Sequence, residues 1–209
     1  MIIYMSDILC ITNRSLCGED FLTRIEKTAQ EHPRGILLRE KDLSEAEYMN
    51  LAKKVLEICR KHNILCILHS FVSVAKELDC HAIHFPLPIL RTLNAKDTTA
   101  FSTLGASCHS VQEAKEAQSL GCTYITAGHI FETDCKKGLA GRGLDFLHEV
   151  CESVSIPVYA IGGIHAQNIN EIRNAGASGA CIMSSIMTCE HPHLYLRHLT
   201  SDKETTHEI

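Results

Sequence analysis

The chain has no CxxC pair, no HExxH segment, no apolar run near the length of a membrane span, and no basic stripe or arm. Each absence removes a class of function. Eleven cysteines are present, but they are scattered through apolar runs such as LCILH around Cys66 and ACIMS around Cys181. Buried cysteine behaves as a small hydrophobe. The expectation is therefore a reduced, cytoplasmic protein without a disulfide framework. Thirteen histidines without zinc-ligand spacing predict no structural metal. A membrane span needs roughly 18 apolar residues, so no membrane partner is expected. The opening MIIYMSDILCIT lacks a basic region and a small-residue cleavage site, and it reads as a first strand rather than a signal peptide. The formal net charge is −5 with both signs interspersed. This excludes a nucleic-acid surface, and any anion site has to be local.

What is present is a repeated alternation. Short apolar runs at ILCIT (8–12), GILLRE (35–40), LCILH (65–69), HAIHF (81–85), TLGAS (103–107), YITAGHIF (124–131), PVYAIGG (157–163) and GACIMS (179–184) read as strands. They are apolar on both faces, as parallel strands covered by helices should be. Between them lie amphipathic segments with start and stop signals. Ser44 and Glu47 form a capping-box pattern ahead of Tyr48, Leu51, Ala52, Val55, Leu56 and Cys59. Ser110 and Glu113 precede a helix that Gly121 stops, and Asn168 and Glu171 precede one that Gly176 stops. Weaker helical patterns cover 20–31, 71–78, 89–97 and 144–154. Eight β-then-α units in 209 residues predict an α/β fold, a single (β/α)8 TIM barrel over residues 1–200 with a polar tail at 201–209. Strand counting alone leaves a doubly wound open sheet as the alternative.

In such a barrel the chemistry sits at the C-terminal strand ends. Strand 2 leads to Arg39, Glu40 and Lys41; strand 5 to Ser107, Cys108 and His109; strand 6 to Gly128, His129 and the loop ETDCKKG. Strand 7 ends in Gly162 and Gly163, and strand 8 in Met183, Ser184 and Ser185. Glycines admit a close backbone approach, and free N–H groups where strand 8 enters a helical turn suit a phosphate. The plain alternative is a tight turn with a serine cap. Arg39 and Lys41, two residues apart, can face one side of an extended segment and meet a phosphate or carboxylate; the alternative is surface charge flanking Glu40. His129 is a candidate general base at neutral pH. His69, His84, His109 and His165 have similar expected placement, and pattern alone does not choose among them.

LLREKDL (37–43), LGASCHS (104–110), AGHIFETDCKKG (127–138), AIGGI (160–164) and GACIMSSI (179–186) occur in the order found in the thiamin phosphate synthase superfamily. The resemblance covers residues 8–190. The GHIFETDCKKG stretch resembles the TenI-like branch, whose characterised activity is thiazole tautomerase. Synthases of the superfamily carry an Asn-Asp pair after strand 3 and a Gly-Gln-x-Asp segment after strand 4, whose aspartates hold magnesium. This chain has His69-Ser70-Phe71 and FPLP (85–88) there. Synthases also carry proline in place of His129, and Thr-x-Thr-Lys in place of Thr133-Asp134-Cys135-Lys136.

The resemblance implies thiazole-phosphate contacts at Thr133, Asp134, Cys135, Gly163, Met183 and Ser184, with Gly162 and Ser185 adjoining. It implies pyrimidine-diphosphate contacts at Arg39, Lys41, Ser107 and Lys136, and a catalytic histidine at His129. The resulting expectation is a cofactor-free, metal-free thiazole tautomerase. Its substrate would be a phosphorylated, carboxylated dihydrothiazole, and His129 would move the proton. Synthase activity, a non-catalytic TenI-like ligand-binding regulator and a phosphosugar-type isomerase are the alternatives. A homo-oligomer is compatible with the sequence, which does not set the oligomeric state.

Overall fold

The structure, a computed structural model, describes residues 7–133, 136 and 138–200. The predicted polar tail at 201–209 lies outside the described residues. Among those described, the strands are β1 (Ile8–Ile11), β2 (Gly35–Leu37), β3 (Leu65–His69), β4 (Ala82–Pro86), β5 (Thr103–Cys108), β6 (Tyr124–Gly128), β7 (Val158–Ile161) and β8 (Gly179–Ile182). They pair in parallel in sequence order, and β8 pairs with β1 to close the barrel. Closure removes the open-sheet alternative. β1, β2, β6 and β8 are buried along their whole length. That explains why they read as continuous apolar runs rather than alternating ones.

β1, β2, β6, β7 and β8 are shorter than the sequence predicts. β2 stops at Leu37 and β6 at Gly128, so Arg39 and His129 stand beyond the ladder on the rim. The helices between the strands include α1 (Phe21–Ala29), α3 (Val72–Glu77), α6 (Val111–Ser119) and α7 (Gly143–Ser153). The helix over 44–61 follows its signals. It is α2 (Glu45–Lys61), with Ser44 and Glu47 closing a reciprocal capping box. Its buried Tyr48 donates from Oη to Leu38 O at 2.6 Å and accepts from His69 N at 2.8 Å, pinning the helix to the ends of β2 and β3.

The predicted helix over 89–97 is instead two single turns, α4 (Leu87–Leu90) and α5 (Ala95–Thr98). Pro88 favours a fresh start in the first, and Asn94 caps the second by accepting from Asp97 N at 3.1 Å. α8 (Ile169–Asn174) has no side-chain cap, because Asn168 is occupied elsewhere. The helix α10 (Pro192–Thr200), unforeseen in the sequence, buries Leu196 and Leu199.

Inside the barrel the side chains alternate inward with period two. One inner layer is polar. A Cβ at Gly105 would fall inside the Tyr124 ring, so glycine is what lets that ring lie across β5. The Tyr124 hydroxyl thereby reaches His84 Nδ1 at 2.9 Å. His84 stands opposite His69 in the β3–β4 register, their ring centroids 6.2 Å apart. Burial pushes both imidazoles down to about 3, helped by Arg39 at both, and at His69 also by His84 and Lys41. Both rings are therefore neutral at physiological pH.

Two outcomes follow from this layer. Gly105→Ala should destabilise the fold by about 1–3 kcal/mol, the usual range for overpacking a filled core. A shift in the urea midpoint equivalent to less than a few tenths of a kcal/mol would show that the ring can move aside. The second outcome concerns acid. An unfolded histidine takes up a proton below its ordinary pKa of about 6.5, which the folded His69 refuses until about 3. Unfolding then binds protons, and stability falls as pH drops through that window. His69→Asn should flatten the dependence of unfolding free energy on pH between about 6 and 4 by about 1.4 kcal/mol per pH unit. Parallel curves from urea titrations at several pH values would show that folded His69 charges with ordinary affinity.

Candidate active site

A cavity of about 1050 Å³ opens at the C-terminal ends of the strands. Its wall contains Arg39, Lys41, Ser107, His129, Thr133, Lys136, Gly162, Gly163, Met183, Ser184 and Ser185, so residues far apart in sequence converge there. Asp134 and Cys135, the other two candidate contacts, lie outside the described residues. The rival histidines His69, His84, His109 and His165 line the same cavity as His129. Asn13 and Asn168, which sequence reasoning did not put in the site, line it too, as does Glu132 at the start of the loop after β6.

Arg39 and Lys41 owe their orientation to the residue between them. Glu40 is 3% exposed and points away from the mouth. It accepts from Thr12 Oγ1 at 2.6 Å, from the backbone N–H of Arg14 at 3.0 Å and from Arg14 Nη1 at 3.2 Å. Arg14 also makes a two-pronged contact with Asp42, which holds that carboxyl below its usual range. A buried carboxylate needs such partners. Glu40 is turned inward, while its neighbours Arg39 and Lys41 both line the cavity. Partial burial, then the nearby Arg39 charge, lowers the Lys41 pKa. Two cations held this close favour an anion between them.

The segment after β6 crosses over the end of β7. Ile130 N donates to Ile161 O at 2.9 Å and Phe131 N to Gly162 O at 3.1 Å. A Cβ at Gly162 would overlap His129, and one at Gly163 would overlap Glu132 O and press on Phe131. Both glycines also have positive φ, +100° and +67°. The sequence suggested that they clear space for a ligand backbone contact. The structure gives them a different and sufficient reason, the crossing loop. Asn168 secures the same corner: it donates from Nδ2 to Gly163 O at 2.9 Å and accepts from His165 N at 2.8 Å.

His129 is 7% exposed. Its Nε2 meets Leu139 O at 3.3 Å, and since a carbonyl only accepts, Nε2 carries the proton. Nδ1 is buried and has no hydrogen-bond partner among the described residues. Neither nitrogen presents a lone pair at the cavity surface. By contrast, His109 donates from Nδ1 to Gly128 O at 2.7 Å and leaves Nε2 as its acceptor.

On the far side, Met183 precedes the short helix α9 (Ser184–Thr188) and offers no side-chain cap. The first-turn N–H groups of a helix have no partner within it. Met183, Ser184 and Ser185, where this helix begins, line the cavity.

A magnesium ion would need oxygen ligands, carboxylates above all. The ends of β3 and β4 present His69, Ser70 and Pro86 instead. His69 Nδ1 is engaged by Ser70 Oγ at 2.9 Å, and both nitrogens of His84 are engaged. Glu132 is the one carboxylate on the cavity wall among the described residues, and no group of His, Cys, Asp and Glu there could hold a metal. The residues present do not fit a magnesium ion at this place.

Comparison with known proteins places this geometry. The chain is 31% identical to the thiamine-phosphate synthase of Fusobacterium nucleatum, over 87% of its own length and 89% of that protein. It is 32% identical to the thiamine-phosphate synthase of Methanobrevibacter smithii, with 92% of each covered. In solved structures it resembles a thiamine phosphate pyrophosphorylase from Pyrococcus furiosus, with 27% identity, a TM-score of 0.79 and 94% of each chain covered. These relatives overturn the tautomerase expectation: they are named as synthases, and nothing among them supports an isomerase or singles out the TenI-like branch. The family described as thiamine monophosphate synthase (TMP-TENI) matches residues 8–186, and the chain belongs to that family.

Proposed function

We propose that the chain is a cytoplasmic thiamine-phosphate synthase, a transferase that joins a pyrimidine diphosphate to a thiazole phosphate. The observation that carries this reading is the size and polarity of the mouth. A pocket for one drug-sized ligand measures about 300–1,000 Å³. The cavity here, about 1050 Å³, lies at the upper end of that range and has an anion-suited feature on each of two sides. Arg39 and Lys41 mark one side, and the start of α9 marks the other. Two phosphorylated small molecules fit this arrangement better than one.

The reaction is a displacement. The thiazole nitrogen forms a bond to the methylene carbon of the pyrimidine, the carbon–oxygen bond breaks, and diphosphate leaves with the electron pair. The barrier lies in the charge that builds on the leaving oxygen. Arg39 and Lys41, already facing the cavity, stabilise that charge, and Lys136 adds a third cation from the loop after β6. Preorganised donors of this kind act where charge develops. The helix start and Ser184 and Ser185 hold the thiazole phosphate, which aligns the nitrogen. His129, with its buried Nδ1 and its proton turned to Leu139, shapes the wall between the two sides.

The test is direct. The purified chain is given both substrates with and without magnesium, and thiamine phosphate and diphosphate are measured together. Equimolar formation of the two is expected. Lys41→Ala should lower kcat/KM by about a hundredfold, as removal of one preorganised donor does. Absence of product from the wild-type chain under both conditions would overturn the proposal.

A further inference from the structure

The Ser107 hydroxyl stands in the cavity wall near the end of β5. It ends a line of hydrogen bonds that begins inside the barrel. Tyr124 Oη lies 2.9 Å from His84 Nδ1, and His84 Nε2 lies 2.9 Å from Ser107 Oγ. Thr126 Oγ1 donates to the same serine oxygen at 3.3 Å. Distances alone let the protons run in either direction, but the number of protons decides.

Burial pushes the Tyr124 phenol pKa well above its ordinary value, so it keeps its proton. A buried hydroxyl has to donate somewhere. Among the described residues, His84 Nδ1 is the partner within reach of Tyr124 Oη. Nδ1 therefore accepts. The buried imidazole is neutral and has a single ring proton, which then sits on Nε2. Nε2–H donates to Ser107 Oγ, Thr126 fills the second lone pair, and the serine's own proton is left for the cavity.

We infer that Tyr124 is a positioning residue which, through His84, makes Ser107 an obligate hydrogen-bond donor to an anionic oxygen of the diphosphate class in the cavity. The identity of the anion rests on the synthase reading; the order of protons does not. Without the phenol, His84 is free to carry its proton on Nδ1 and accept from Ser107, which turns the hydroxyl away from the ligand. Arg39 and Lys41 supply charge at the mouth, and Ser107 supplies direction. A donor to a charged acceptor is the stronger kind of hydrogen bond.

The experiment reads the tautomer and the coupling. Long-range ¹H–¹⁵N spectra of the full chain, with His84 assigned through its backbone, should show the Nε2–H form from about pH 6 to 8, a range set by the ordinary histidine pKa. Tyr124→Phe keeps the ring over Gly105 and should populate the Nδ1–H form. Binding of inorganic diphosphate, measured by calorimetry, should weaken about tenfold in Ser107→Ala, the loss of one donor to a charged group. Tyr124→Phe should weaken it by about threefold, within the range of one hydrogen bond. The double variant should bind no more weakly than Ser107→Ala, because Tyr124 acts only through Ser107. An Nδ1–H tautomer in the wild-type chain would overturn the inference with no variant needed, and so would losses that multiply in the double variant. A chain that shows the tautomer and the coupling but makes no thiamine phosphate would sink the synthase reading and leave this inference standing.

Discussion

The Tyr124 ring lying across Gly105 is the contact on which the interior of this barrel depends. In most barrels of this kind the inner layers are filled by branched apolar side chains. Here a phenol fills the space that a Cβ at 105 would take, and its hydroxyl is carried to the buried His84 ring. A hydroxyl placed there must be satisfied, so the layer above it is polar as well: His84, Ser107 and Thr126. One glycine–tyrosine pair thus turns part of a hydrophobic core into a hydrogen-bonded floor for the cavity. The arrangement makes the floor neutral, since desolvation and the Arg39 charge both disfavour a proton on the histidines. Positive charge is confined to the rim, where a ligand's anionic groups meet it.

The rim depends on buried structure in the same way. Glu40 is the buried member of the Arg39–Glu40–Lys41 segment, and its contacts with Thr12 and Arg14 tie the exit of β2 to the exit of β1. The carboxylate is stabilised by three kinds of donor, and its reward to the site is orientation, with a cation on either side turned outward. At the opposite rim, the loop after β6 passes so close to Gly162 and Gly163 that no side chain fits there. Asn168 bonds the same corner from below. The mouth is therefore braced at both ends by groups that themselves need not touch a ligand.

How much of this the sequence showed follows from the range of each interaction. The eight-unit barrel was legible because strand burial and helix capping leave local signatures: continuous apolar runs, and Ser44 with Glu47 three positions on. The strand-end rule then drew Arg39, Lys41, Ser107 and the glycine pair to one face, and they do line one cavity. What was not legible depends on contacts between distant segments. Nothing near Gly105 announces that a ring from residue 124 will cover it. Nothing near Glu40 announces that residues 12 and 14 will bury it. Asn168 looked like a cap for the helix that follows, and spends its side chain on Gly163 and His165 instead. The ends of β2 and β6 were overrun because apolar residues continue past the last ladder bond: Leu38 and Ile130 are buried without belonging to a strand.

The misjudged function has the same origin. His129 stood out because its neighbours in sequence made a recognisable stretch, and a histidine at a strand end suggests a base. A base needs a lone pair aimed at a substrate, and that is a property of the fold. The carbonyl of Leu139, ten positions away, fixes the ring proton on Nε2, and packing closes over Nδ1. The missing aspartates after strands 3 and 4 were read against a synthase, on the view that a diphosphate must meet a divalent ion. The charge that a leaving diphosphate develops can also be met by fixed protein cations. Their effect grows when the surrounding wall is of low polarity and they are held in place beforehand. Arg39 and Lys41 meet the second condition, flanking a buried carboxylate that ties down the segment between them on the cavity wall. Leaving-group stabilisation by this chain's own residues is therefore compatible with a donor set that suits no magnesium ion, and the departures from the synthase pattern lose their force as an argument against transfer chemistry.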